Sequence, residues 1–159
     1  MGANRDEMMS LRKTFNSISL KEVMKKHVVT VYVDDPFSSV EQKMRIHEVR
    51  HLPVVDLDMR LVGIITQRDL YRIRSPRIHP DGTIFYEKDI LDEYLISHTM
   101  TKNPIAMDLS ASLADAIDKM GEKKCGCIPV VDERRVVCGI VTQTDVMKYI
   151  AEMIKNTLA

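Results

Sequence analysis

Three sets of residues could do chemistry. The first is His47-Glu48-Val49-Arg50-His51, a literal H-E-x-x-H. Two histidines four apart on one helix face hold zinc, and the glutamate between them acts as the base in peptide hydrolysis. The second set is a pair, Thr66-x-x-Asp69 and Thr142-x-x-Asp145. Thr-x-x-Asp is a helix N-terminal capping motif. The same geometry suits a nucleotide. Free N–H groups and the dipole at a helix start attract a phosphate, the hydroxyl adds a donor, and the carboxylate accepts both hydroxyls of a ribose diol. The third set is Cys125-Gly126-Cys127 with Cys138, where three thiolates could hold zinc or act in redox.

The elements that must position these residues discriminate among them. A zinc protease needs a helix that persists through both histidines. Here Pro53 disfavours helical geometry at Leu52, where the β-rich "LPVVD" begins. His47 therefore falls in the last turn of a helix and His51 at or beyond its end, and no third ligand is recognisable. No metal site and no protease activity are expected. The cysteines lack an obvious fourth ligand. Small apolar cysteines are common in cores, although pairing of the two strands around Cys127 and Cys138 would bring the three together. A thiol- or metal-dependent switch through Cys125, Cys127 and Cys138 stays as the alternative.

The chain repeats itself. A shift of 76 residues, without a gap, lays Met24 on Met100, "PVVD" at 53–56 on "PVVD" at 129–132, and "GIITQRD" at 63–69 on "GIVTQTD" at 139–145. Each copy reads β-α-β-β-α. A β-rich run, "VVTVYV" or "PIAMDL", precedes a helix with Phe37, Val40 and Met44, or Leu113, Ala116, Ile117 and Met120, at helical spacing. Ser38-x-x-Glu41 and Ser112-x-x-Asp115 are the capping boxes expected to start those helices. Two apolar strands and a final helix from "TQRD" or "TQTD" complete the unit. Between the copies, Pro80-Asp81-Gly82 predicts a turn, and Ile90, Leu91, Tyr94 and Leu95 predict a helix. Val146, Ile150, Met153, Ile154 and Leu158 form a late helical stripe, expected to pack on a partner chain or on the first copy. The fold class is α/β (α+β), with short sheets covered by helices.

Composition narrows the partners. The 159 residues carry 23 Lys and Arg against 23 Asp and Glu, a formal net charge of zero. That removes the simplest argument for nucleic-acid or anionic-membrane binding. No apolar run is long enough to span a bilayer, and the N-terminus lacks the apolar stretch of a signal peptide. Three cysteines are no disulfide framework. The expected compartment is the cytoplasm.

The two "M…PVVD…G-I-x-T-x-x-D" units resemble a tandem pair of CBS domains, named for cystathionine β-synthase and often called a Bateman module. The resemblance runs from about Leu20 to Tyr149. It sets an N-terminal extension at 1–17, one domain at 18–74, a linker with a helix at 75–98, the second domain at 99–151, and the end of the last helix at 152–159. It implies two units packed sheet to sheet about a pseudo-twofold axis, with clefts between them. It also implies an adenosine-containing effector such as AMP, ADP, ATP or S-adenosylmethionine, no cofactor, and a homodimer. It implies a regulatory protein acting on an unidentified partner rather than an enzyme.

By this resemblance Asp69 and Asp145 hold ribose, and Thr66 and Thr142 reach ribose or phosphate. Adenine takes an apolar slot at Val28, Val29, Leu52 and Pro53, or at Pro104, Ile105, Ile128 and Pro129. Arg50, His51, Arg68 and Lys26 face phosphates. Their counterparts are Gly126, Cys127, Thr144 and Lys102, so the first pocket is expected to take the more anionic ligand.

Overall fold

The computed structural model describes residues 5–85 and 90–157. In chain order its elements are α1 (Arg5–Ser17), α2 (Leu20–Val23), β1 (Val31–Tyr32), α3 (Ser38–His47), β2 (His51–Val55), β3 (Leu61–Thr66), α4 (Gln67–Ile73), β4 (Arg77–Ile78), β5 (Ile84–Phe85), a 3₁₀ turn at Ile90–Glu93, α5 (Ile96–Thr99), β6 (Thr101–Lys102), β7 (Met107–Asp108), α6 (Leu113–Lys123), β8 (Cys127–Val131), β9 (Val137–Thr142) and α7 (Gln143–Thr157). The chain divides into two compact units. One is Val29–Pro104. The other joins the described residues before Val29 to those from Ile105 onwards. The run 18–28, which the repeat assigns to the first copy, thus lies in the unit that carries the second.

In the Val29–Pro104 unit the sheet order is β1-β2-β3-β6. β1 is parallel to β2; β3 is antiparallel to both β2 and β6. In the other unit β7 is parallel to β8 and β8 antiparallel to β9. Lys25 completes this sheet by bridging Ile140, as Thr101 pairs with Ile64 in the first. Both sheets shift register at the same place, Val54/Val55 and Val130/Val131. Two left-handed backbone positions also recur at the 76-residue spacing: Glu48 with Lys124, and Met59 with Arg135. The repeat therefore extends to backbone conformation at residues whose types differ.

The helical stripes face the cores as their spacing predicts. Phe37, Val40 and Met44 pack with Val31, Leu52, Val54 and Ile65. Leu113, Ala116 and Met120 pack with Ile128, Val130 and Val141, and Leu20 of α2 joins them. The β-rich runs pair over only two residues each, and the turn at Pro80-Asp81-Gly82 closes a small hairpin, β4–β5. Where a single helix is expected, Ile90–Glu93 is a 3₁₀ turn and α5 has four residues. In the late stripe, Val146, Ile150 and Met153 join the core of their own unit. Ile154 stays exposed, and Leu158 lies outside the described residues.

One cap differs from expectation. Ser38 is the first residue of α3, not its cap, and Glu41 does not reach back to it. Asp92 from the linker accepts both the Ser38 N–H (2.7 Å) and its hydroxyl (3.0 Å). Glu41 instead pairs with Arg74 at 2.6 Å. The box at Ser112 and Asp115 forms as expected.

Candidate functional site

Each Thr-x-x-Asp corner is built by a strand running straight into a helix. Thr66 ends β3 and Asp69 lies in the first turn of α4; Thr142 ends β9 and Asp145 lies in the first turn of α7. The Thr66 N–H and hydroxyl both donate to Asp69 Oδ2, each at 2.8 Å. The Thr142 N–H and hydroxyl donate to Asp145 Oδ2 at 2.9 and 2.6 Å. Asp69 and Asp145 are only 9% and 8% exposed, the two buried polar residues among those described. Buried carboxylates need partners, and here the capping threonine supplies them. One oxygen of each is thereby saturated. Among the described residues the other, Oδ1, meets only a cation: Arg72 at 3.6 Å from Asp69, and Lys25 at 3.3 Å from Asp145. The capping threonine and the cation use different oxygens.

The strand before each corner brings more residues to it. The Gln67 N–H donates to the Arg50 carbonyl (2.9 Å), and His51 pairs in register with Thr66. Arg50, His51, Thr66, Arg68 and Asp69 therefore share one corner. The other corner repeats the device: the Gln143 N–H donates to the Gly126 carbonyl (3.1 Å), and Cys127 pairs with Thr142. Arg50 and Arg68 are exposed, and among the described residues neither has a carboxylate partner. His51 differs. Burial, and then the neighbouring Arg50 charge, hold its pKa below the ordinary 6.5. At neutral pH it is an uncharged hydrogen-bonding ring rather than a second cation. Lys26 lies in the unit of the Asp145 corner, apart from the unit of Arg50, His51 and Arg68. Val29, Leu52, Pro53 and Pro104 fall with the Asp69 corner; Val28, Ile105, Ile128 and Pro129 fall with the Asp145 corner.

Leu52 and Ile128 are fully buried, and Pro53 and Pro129 are buried with them. Val28, Val29, Pro104 and Ile105 are half-buried. The β1–β2 ladder stops at Val31 with Val54, and the β7–β8 ladder at Met107 with Val130. On that side, among the described residues, the main chain at Leu52-Pro53 and Ile128-Pro129 has no strand neighbour. A proline, which cannot donate to a ladder, is tolerated there. A flat ring could meet main-chain polar groups at the same edge.

The other two motifs come apart. α3 ends at His47, Glu48 turns left-handed (φ 52°), and His51 opens β2. The five letters H-E-x-x-H thus span a helix end, a turn and a strand, so the two histidines do not share a helix face. β8 and β9 do pair, but Cys127 lies opposite Thr142, at the far end of β9 from Cys138. Four extended residues separate those levels by about 13 Å. Pairing of β8 with β9 therefore does not bring Cys138 level with Cys127. Burial pushes the Cys127 thiol up to about 12 and raises that of Cys125, so both stay protonated at neutral pH. Among the described residues no His, Cys, Asp and Glu cluster is arranged to hold a metal ion.

The cation on Asp145 has no mark in the sequence. Lys25 follows Met24 in the run that matches Met100-Thr101, and nothing local shows that this run pairs with β9 of the other copy.

Comparison with known proteins agrees with this architecture. The family model for the CBS domain matches residues 20–75 and 91–152. A CBS domain-containing protein of Dictyostelium discoideum is 26% identical over 87% of this chain and 94% of its own length. The inosine-5′-monophosphate dehydrogenase of Methanocaldococcus jannaschii is 32% identical over 80% of this chain, but over only 22% of its own length. The chain likewise spans about a quarter of the homoserine O-acetyltransferase of Methanococcus vannielii, 24% of that sequence at 27% identity. Among solved structures, a CBS domain pair in complex with 5′-methylthioadenosine and S-adenosyl-L-methionine is similar, with a TM-score of 0.71 and 25% identity over 85% of this chain and 97% of that one. Matched over most of its length by the family model, and carrying the same corner twice, the chain belongs to the CBS domain family.

Proposed function

We propose that this chain is a regulatory module that binds an adenosine-containing ligand at its Thr-x-x-Asp corners. AMP, ADP, ATP and S-adenosylmethionine are the candidates. The observation that carries this reading is the state of the two aspartates: buried, one oxygen saturated by threonine, the other held, among the described residues, only by a side-chain cation. Such an oxygen can exchange the cation for a ribose diol without disturbing the helix cap. The similar pair solved with 5′-methylthioadenosine and S-adenosylmethionine supports the adenosyl class. In this reading the protein is not an enzyme; it acts as a cytoplasmic homodimer and signals to a protein partner. A ligand can do this only by binding one arrangement of the protein better than another.

Thermal unfolding with each candidate tests it. A ligand at a hundred times its dissociation constant stabilises the folded state by about 2.7 kcal/mol, which is easily seen. Asp69→Asn and Asp145→Asn keep the acceptor for threonine but weaken the diol contact. Each should reduce the ligand-induced shift, and together they should abolish it. If no adenosyl compound shifts the wild type, the reading is wrong.

A further inference from the structure

The Asp145 corner carries a cation from outside its own copy. Lys25 Nζ stands 3.3 Å from Asp145 Oδ1. The lysine main chain is fixed: its N–H donates to the Ile140 carbonyl (3.0 Å) and its carbonyl accepts from the Ile140 N–H (3.1 Å). Ile140 lies two residues before Thr142, so both point to one face of β9. The lysine side chain is 59% exposed and the aspartate 7%; the ammonium stands at the rim of a buried carboxylate. In the Val29–Pro104 unit the same position, 76 residues on, is Thr101, whose side chain carries no charge. There the cation on Asp69 is Arg72, from the helix.

We propose that Lys25 is a specificity-determining residue of the Thr142/Asp145 site and selects adenosine 5′-phosphates over adenosine and over sulfonium-bearing adenosyl ligands. This rests on the ligand reading above. A diol that takes Asp145 Oδ1 displaces the ammonium, which keeps three donors and stays tethered at Ile140, beside the sugar. A 5′-phosphate restores the ion pair that Lys25 gives up. Adenosine offers no replacement, and a sulfonium repels the ammonium. Lys25 thus supplies positive charge to a corner where Gly126, Cys127 and Thr144 stand in place of Arg50, His51 and Arg68.

Isothermal titration of the Asp69→Asn protein, with the Asp145 corner intact, tests the proposal using AMP, adenosine and S-adenosylmethionine. With Lys25 present, AMP should bind on the order of tenfold more tightly than adenosine, the effect of a charge-assisted hydrogen bond. Lys25→Met should bring the two within about twofold while adenosine binding persists or tightens. Lys25→Arg should keep the preference for AMP. An unchanged ratio in Lys25→Met, loss of adenosine binding along with AMP, or a preference for adenosine or S-adenosylmethionine with Lys25 in place each overturns the selector role. Those results leave the ligand reading standing. If no adenosyl compound binds even the wild type, both fall.

Discussion

Met24 lies so close over Gly139 that a Cβ on the glycine would stand 2.3 Å from the methionine sulfur. Met100 covers Gly63 in the same way, at 2.1 Å. Each pair lies within one compact unit, yet Met24 and Gly139 come from opposite copies of the repeat. So do Met100 and Gly63. The glycine of G-I-x-T is required because a methionine near the start of the other copy occupies the space of its side chain.

Gly63→Ala and Gly139→Ala should each destabilise by about 1–3 kcal/mol, the range for overpacking. Truncating the methionine should rescue most of the cost at both sites, and not all of it. A Cβ at Gly63 would stand 3.2 Å from the Met100 Cβ, which Met100→Ala keeps, and a Cβ at Gly139 would stand 3.2 Å from the Lys25 carbonyl. In Met100→Ala and Met24→Ala backgrounds each glycine substitution should therefore cost much less than alone. Double-mutant cycles from urea unfolding measure this coupling. No coupling at either site would contradict the role of the methionine.

Asp92 caps α3 across the linker, so Asp92→Ala should cost about 1 kcal/mol. Glu41→Ala removes only a partly exposed pair with Arg74, worth about 0–1 kcal/mol. Denaturant midpoints compare the two. A larger loss from Glu41→Ala would restore the local capping box to that helix.

His51 should titrate below 6.5, first because of burial and then because of Arg50. Since Arg50 is the smaller cause, Arg50→Gln should raise the midpoint only part of the way back. The unfolded ring binds its proton more readily than the folded one. His51 therefore contributes stability that is present above 6.5 and lost as the pH falls through its lower native value. The histidine resonances in an NMR titration report the midpoint, and a value at or above 6.5 would contradict the burial argument.

Cys127 should resist alkylation by iodoacetamide at about pH 8, where a thiol raised to about 12 holds almost no thiolate. Denatured protein should react at once. The sign for stability follows. The unfolded thiol loses its proton first, so this group's contribution is complete below its ordinary 9.0 and declines as the pH rises towards about 12. Cys127→Ala should remove that part of the alkaline decline. Rapid alkylation of native Cys127 would show an exposed, reactive thiol and revive the switch reading.

Features that depend on neighbours along the chain are legible in the sequence. The 76-residue shift revealed two copies of one unit, and helical spacing identified the core faces around Phe37, Val40 and Met44. Pro53 barred a helix from running on through Leu52, so the apparent zinc motif was already divided. The Thr-x-x-Asp corners were readable too, because cap and aspartate lie three residues apart. Tertiary structure decided what depends on which distant segment fills a place. Asp92, not Glu41, took the cap of α3, since an exposed helix N–H donates to whichever carboxylate the fold brings nearest. The register of β8 and β9 kept Cys127 and Cys138 at opposite ends of a strand. Above all, the run Met24-Lys25 crossed to the edge of β9, where backbone pairing with Ile140 delivered an ammonium to Asp145. Backbone hydrogen bonding is nearly indifferent to residue type, so the short run carried no local mark of the strand it would join.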